Sequence, residues 1–135
     1  MTELPYGSWP GTVSVDDVLS GATSLQSLAT SGDQLFWSES RPTENGRTTV
    51  QRSGADGPVD LTPDADVRSR VMEYGGGAWT VDRDDPTLMV ISDDRTRQLH
   101  VLRDGTSTPL SPADPQLRHG VLQVHGATGV VIAVQ

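Results

Sequence analysis

Few residues in this chain could carry chemistry, and most of their spacings fail. The 135 residues include no Cys, so disulfides, thiolate nucleophiles and Cys-ligated metals are excluded. All ten basic residues are Arg, which removes lysine-based mechanisms and the lysine of a P-loop. His119 and His125 stand six residues apart without a carboxylate at a metal-ligand spacing, so they read as exposed or strand-end side chains. Asp82-Arg83-Asp84-Asp85 begins like a calcium loop, but Thr87 replaces the turning glycine and no Glu closes the loop. A solvated turn is the plainer reading. Asp16-Asp17 and Asp93-Asp94 read as first-turn and turn acids. The nearest approach to a nucleophile elbow, Gly105-Thr106-Ser107-Thr108-Pro109, ends in Pro where Gly is required. No catalytic residue, metal or cofactor is therefore expected.

The one concentrated motif is RSRVMEYGGGAW, Arg68 to Trp79. Gly75-x-Gly77 misses the dinucleotide fingerprint because Thr80 stands where the third Gly belongs, and a strand pattern rather than a helix follows. Without a helix or a Lys, the glycines do not cradle phosphate. Lacking Cβ, they let the chain leave one element and enter the next where backbones crowd.

The elements that hold this motif are short strands. Gly (14) and Pro (9) are spread along the chain, as turns between strands require. The net charge of −8 and pI near 4.6 argue against nucleic acid and anionic membrane as partners. The N-terminus has neither the basic nor the apolar region of a signal peptide, and no apolar run could span a bilayer. A cytoplasmic protein is the simplest expectation. One short helix is predicted near Val15–Leu19, stopped by Gly21. Elsewhere hairpins are predicted to turn at Gly54–Gly57, Asp84–Pro86, Asp104-Gly105 and Gly126–Gly129.

The strands repeat. Leu28/Leu35, Val81/Leu88 and Val124/Val131 each bracket a polar turn at the same seven-residue offset. A second match pairs Arg52 with Arg103, and Leu61-Thr62-Pro63 with Leu110-Ser111-Pro112. Units of about 40–50 residues with four short strands indicate β-propeller blades; a sandwich has similar strand density without the repeated offsets. The predicted fold is all-β: a partial β-propeller of two four-stranded blades and the first hairpin of a third, after a short helical segment. The expected limits are 1–27 for the N-terminal segment, 28–66 and 76–114 for the two blades, and 118–135 for the third. Two and a half blades leave open edges, so the chain is expected to be part of a longer protein.

The stretches YGSWPGTVSVDDVLSGA, VRSRVMEYGGGAWTV and LHVLRDGTSTPLSP resemble the N-terminal region of prolyl oligopeptidase-family serine peptidases, in the acylaminoacyl peptidase or dipeptidyl aminopeptidase branch. The matching hallmark consists of Arg68, Arg70, Val71, Glu73, Tyr74, Gly75, Gly76, Gly77, Ala78 and Trp79; Met72 departs from it, standing where a polar residue, often His, is expected. The resemblance implies a propeller that covers a C-terminal α/β-hydrolase domain and limits entry to short peptides. The Ser, Asp and His of that domain are absent from this sequence. Its implied partners are the hydrolase domain, the remaining blades and peptide substrates. It also implies that Arg70 and Glu73 are the candidates for holding a substrate terminus, since a carboxylate pairs with an α-amino group and an Arg fork with a carboxylate or carbonyl. Their alternative role is a structural ion pair of Glu73 with Arg68 or Arg70, beside a core formed by Tyr74 and Trp79. At the level of the protein, the alternative to a peptidase propeller is a free-standing propeller acting as a protein-binding scaffold.

Overall fold

The computed structural model describes residues 7, 13–20, 22–71 and 76–135. Among the described residues a turn and a half of helix, α1 (Val15–Ser20), precedes ten strands. Ser14 opens it as a capping box: the Asp17 amide donates to Ser14 Oγ at 3.0 Å, and the Ser14 amide donates to Asp17 Oδ2 at 2.9 Å. Among the described residues no helix is long and apolar enough to cross a membrane.

The strands form three antiparallel sheets in chain order. The first contains β1 (Ser24–Ser31), β2 (Gln34–Arg41), β3 (Arg47–Arg52) and β4 (Val59–Asp60). The second contains β5 (Trp79–Val81), β6 (Leu88–Asp93), β7 (Gln98–Arg103) and β8 (Thr106–Pro109). The third is the hairpin of β9 (Gly120–His125) and β10 (Val130–Val134). Each hairpin turns where the sequence places its glycines and acids. Asp104 and Gly105 both adopt positive φ, at 50° and 77°, which matches the twist of the β7–β8 strands.

The sheets stack face on face. Phe36 and Val50 of the first sheet pack against Trp79, Val81, Met89, Ile91 and Leu102 of the second. Val90 and Leu99 on the other face of the second sheet pack against Leu122, with Val124, Val131 and Ala133 around them. The first strand of each sheet lies innermost, since β5 touches both β1 and β9. Meander sheets stacked radially in this way are a partial β-propeller.

The later half of the repeat is exact at atomic level. The Leu61 amide donates to the Val50 carbonyl and the Leu110 amide to the Leu99 carbonyl, at 2.9 and 2.7 Å. Thr62 Oγ1 then accepts the Val50 amide, and Ser111 Oγ accepts the Leu99 amide, at 2.9 and 3.0 Å. The seven-residue offset is not matched in register. Leu28 pairs with Trp37 and Val81 with Met89, and only Val124 and Val131 face each other. The turns differ in length, so residues at equal sequence spacing land on different rungs. Leu28 is 70% exposed, whereas its counterpart Val81 is buried.

Candidate functional site

The segment that joins the first two sheets carries the described residues of the motif, Arg68 to Val71 and Gly76 to Trp79. It is threaded between the sheets by backbone bonds. The Val67 amide donates to the Thr48 carbonyl at 2.8 Å, and the Arg68 amide to the Ser92 carbonyl at 3.1 Å. Val67 bridges to Asp93, and the Asp66 amide donates to Asp93 Oδ1 at 3.0 Å. This zipper sets Arg68, Ser69 and Arg70 alongside Gly76–Trp79, and together they wall a cavity of about 410 Å³. Gln26, Ser27, Ser38 and Thr48 of the first sheet complete it. Gln26 and Ser27 reach it because β1 bulges there: both lie opposite Ser38 alone.

Three side chains at the cavity, Arg68, Arg70 and Trp79, can only donate, while its hydroxyls and the Gln26 amide both donate and accept. Arg70 is 53% exposed and its Nη2 and Nε lie 3.1 and 3.2 Å from Asp94 Oδ2. Asp94 is shared, since Arg97 binds its other oxygen. Arg68 donates to the Gly46 carbonyl and stands 3.7 Å from Asp66. Trp79 is 8% exposed, and its indole Nε1 has no hydrogen-bond partner among the described residues. Glu73, Tyr74 and Gly75 lie outside the described residues, as does Met72. The described acidic partners of Arg70 and Arg68 are thus Asp94, which the sequence presents only as a turn acid, and Asp66, which it does not single out. Asp94 looked like an ordinary turn acid, and its only sequence signal is its place at the end of a strong strand pattern.

Gly76 and Gly77 adopt φ of +107° and +55°. A Cβ on Gly77 would come within 2.6 Å of Val121 Cα, and the Gly77 carbonyl accepts the Leu122 amide at 3.1 Å. The glycine run therefore brings two innermost strands into backbone contact.

Other titratable groups are spent on structure. His119 is buried, 3.1 Å from the Gln135 amide nitrogen, and burial pushes its imidazole pKa down. His125 Nδ1 lies 2.8 Å from Thr128 Oγ1, in the turn after β9. His100 Nδ1 lies 3.2 Å from Ser107 Oγ, but Ser107 sits in the regular ladder of β8 opposite Leu102, not on a strand-to-helix turn. Asp82 clamps its own turn by accepting the Asp84 and Asp85 amides at 2.9 and 2.8 Å. Its other oxygen takes the Gly126 amide, and these bonds, led by Gly126, hold the carboxyl below its ordinary pKa. Arg47 is buried, with Glu44, Asp60 and the Thr62 and Ala65 carbonyls around its guanidinium. Burial raises the pKa of Asp60, but Thr49, the Thr62 amide and Arg47 outweigh it and keep the carboxyl below its usual range.

No protein-family model and no curated protein matches the chain. Solved structures do. A Mycobacterium tuberculosis puromycin-hydrolyzing peptidase is 32% identical, with a TM-score of 0.79 over 98% of this chain and 22% of that one. A puromycin hydrolase is 28% identical, with a TM-score of 0.78 over 97% of this chain and 22% of that one. A mutant of puromycin hydrolase complexed with PGG is 28% identical, with a TM-score of 0.80 over 95% of this chain and 21% of that one. The chain spans 22% or less of the length of these relatives. In sequence and in fold it resembles the N-terminal β-propeller region of prolyl oligopeptidase-family serine peptidases.

Proposed function

We propose that this chain is the non-catalytic propeller portion of a serine peptidase, gating and orienting short peptides for a hydrolase domain carried elsewhere in the protein. The observation that carries this reading is the likeness to a puromycin-hydrolyzing peptidase over 98% of the chain. A cavity of about 410 Å³, walled by Arg68, Arg70 and Trp79, is of a size to receive part of a short peptide. Within this reading the propeller supplies steric selection and hydrogen-bond donors, while the nucleophile, base and oxyanion hole belong to the hydrolase. Arg70 and Glu73 are proposed to face the substrate.

The test is to express the whole reading frame and assay it against puromycin and against peptides with free, dipeptidyl and acylated N-termini. Turnover by the whole protein, with none by the 135-residue chain alone, is expected. A frame that encodes only further sheets, with no Gly-x-Ser-x-Gly segment and no turnover, would replace this reading with that of a protein-binding scaffold.

A further inference from the structure

The seam between the first two sheets holds a second cavity. Thr48 of β3 lines the one beside the glycine run, and Arg52, the last residue of β3, lines this one. It measures about 460 Å³, within the range of about 300–1,000 Å³ usual for small-molecule sites. The ends of β3 and β4 wall it on one side, and the β5–β6 and β7–β8 turns on the other. Its apolar lining includes Met89 and Leu102, both buried, and Leu61 and Pro86, both half-buried.

Into this apolar seam the fold sets one cation. Arg52 lies directly opposite Phe36 in the β2–β3 ladder, and Phe36 is fully buried against the second sheet. Residues directly opposite each other share a face, so Arg52 faces the seam. The second sheet shows an apolar residue on the same rung. The matched backbone bonds from Leu61 to Val50 and from Leu110 to Leu99 align Val50 with Leu99, and so Arg52 with Val101. Val101 pairs with Val90, as Arg52 pairs with Phe36, and packs into the seam with the third sheet.

Arg52 is half-buried, and among the described residues its side chain has neither a hydrogen bond nor an ion pair. Two acids line the cavity with it. Asp60 is engaged by Arg41, Arg47 and Thr49. Asp104 is exposed on the β7–β8 turn and makes no ion pair with Arg52. A guanidinium only donates, and one held beside apolar walls is matched by an anion with an apolar body. Its planar fork fits the two oxygens of a carboxylate. The two neighbouring acids favour a single negative charge over a doubly charged phosphate.

We propose that this cavity binds a small carboxylic acid with an aliphatic or aryl body, its carboxylate on Arg52 and its body against Leu61, Met89 and Leu102. The site is separate from the peptide-orienting cavity and stands without the peptidase reading.

The test is calorimetry on the protein expressed from its full reading frame, with hexanoate, hexanamide and acetate as probes. Hexanoate is expected to bind at least about tenfold tighter than hexanamide, as a charge-assisted bond implies. It is expected to exceed acetate by at least about tenfold as well, because its longer chain leaves water. Arg52→Gln should bring hexanoate and hexanamide to within about twofold of each other. Arg52→Val, which copies the rung of the second sheet, should abolish the preference without lowering Tm, since it takes an unpaired cation out of an apolar seam. Equal affinities for hexanoate and hexanamide, or no binding of either, overturn the proposal. So does a preference that survives Arg52→Gln, because the carboxylate is then held elsewhere. A lower Tm in both Arg52→Val and Asp104→Asn, with no preference for hexanoate, assigns Arg52 to bracing the seam through Asp104 and overturns it too. Absence of peptidase turnover counts against the proposed function alone and leaves these binding results intact.

Discussion

The Asp82 carboxylate crosses the seam between the second and third sheets and accepts the Gly126 amide at 2.6 Å. The same side chain pins the turn between β5 and β6 through the Asp84 and Asp85 amides. One acid thus shapes a hairpin and ties it to the next sheet. Asp82→Ala is expected to lower Tm and to raise hydrogen exchange in β9 and β10 more than in the first sheet. Because its folded pKa is depressed, the stability Asp82 contributes is complete above the ordinary value of 3.8 and is lost as pH falls through the lower folded value. An acid titration of Tm should therefore be less steep below about pH 4 in Asp82→Asn than in the parent chain. An unchanged acid limb would show that Asp82 does not hold the seam.

Gly77 should tolerate no side chain. Its φ of +55° is left-handed, and a Cβ there would stand 2.6 Å from Val121 Cα and 2.7 Å from Val121 N. Gly77→Ala combines a left-handed penalty of about 1–2 kcal/mol with an overpacking cost of about 1–3 kcal/mol. Gly76 is the control. Its φ of +107° is also positive, but nothing lies within 4 Å of an added Cβ. Gly76→Ala should cost only the conformational part. Denaturant melts of the two variants that agree within error would remove the close approach as the cause.

Val121 makes the opposite prediction. It holds φ of +52° with a β-branched side chain, in a bulge where Val121 and Leu122 face Ala133 alone. The side chain is 55% exposed, so little packing offsets the strain. Val121→Gly removes about 1–2 kcal/mol of left-handed strain and adds back about 0.5–1 kcal/mol of backbone entropy. A net gain near 0.5–1 kcal/mol is expected on that arithmetic. A loss of stability on denaturant melting would mean that the isopropyl group is packed after all.

These residues also mark where sequence reading reaches and where it stops. The hairpins were legible because Gly, Asp and Pro punctuate them, and Leu61-Thr62 and Leu110-Ser111 proved equivalent down to their hydrogen bonds. The facing of Leu28 and Val81 was not legible, since it depends on turn length and hence on register, which sequence spacing alone does not fix. Gly77 could be read as structural, but its contact with Val121 joins sheets 44 residues apart in the chain. Asp94 and the Trp79 N–H were hidden for the same reason. Their significance comes from the segment threaded between two sheets, and pairings across such a seam leave no local pattern.

Arg47 anchors that threaded segment, and its loss should be costly. Its guanidinium is 7% exposed and donates to the Thr62 and Ala65 carbonyls at 2.9 and 3.2 Å, ahead of Asp66 and Val67. It also meets Asp60, which is 23% exposed, and Glu44, which at 40% is open to solvent and adds little. Arg47→Met keeps the aliphatic stem but leaves the two carbonyls without this donor and takes one of several partners from Asp60, which keeps Arg41, Thr49 and the Thr62 amide. A loss of about 2–4 kcal/mol is expected for stranding such partly buried groups. A change under about 0.5 kcal/mol, the range of an exposed pair, would show that water replaces the guanidinium.

Arg70 is where stability and recognition separate. Its pair with Asp94 is half open to water, and Arg97 remains on Asp94 when Arg70 is removed. Exposed pairs contribute about 0–1 kcal/mol, so Arg70→Ala should leave the denaturant midpoint nearly unmoved. Asp94→Asn should cost more, because Asp94 is 12% exposed and two guanidinium groups lose their anion together. A bracing ion pair predicts similar losses for both variants. A recognition residue predicts that Arg70→Ala is nearly silent in stability while peptide binding by the protein expressed from its full reading frame falls. Melts of the two variants beside that binding measurement decide which role Arg70 serves, and a large stability loss in Arg70→Ala would assign it to bracing.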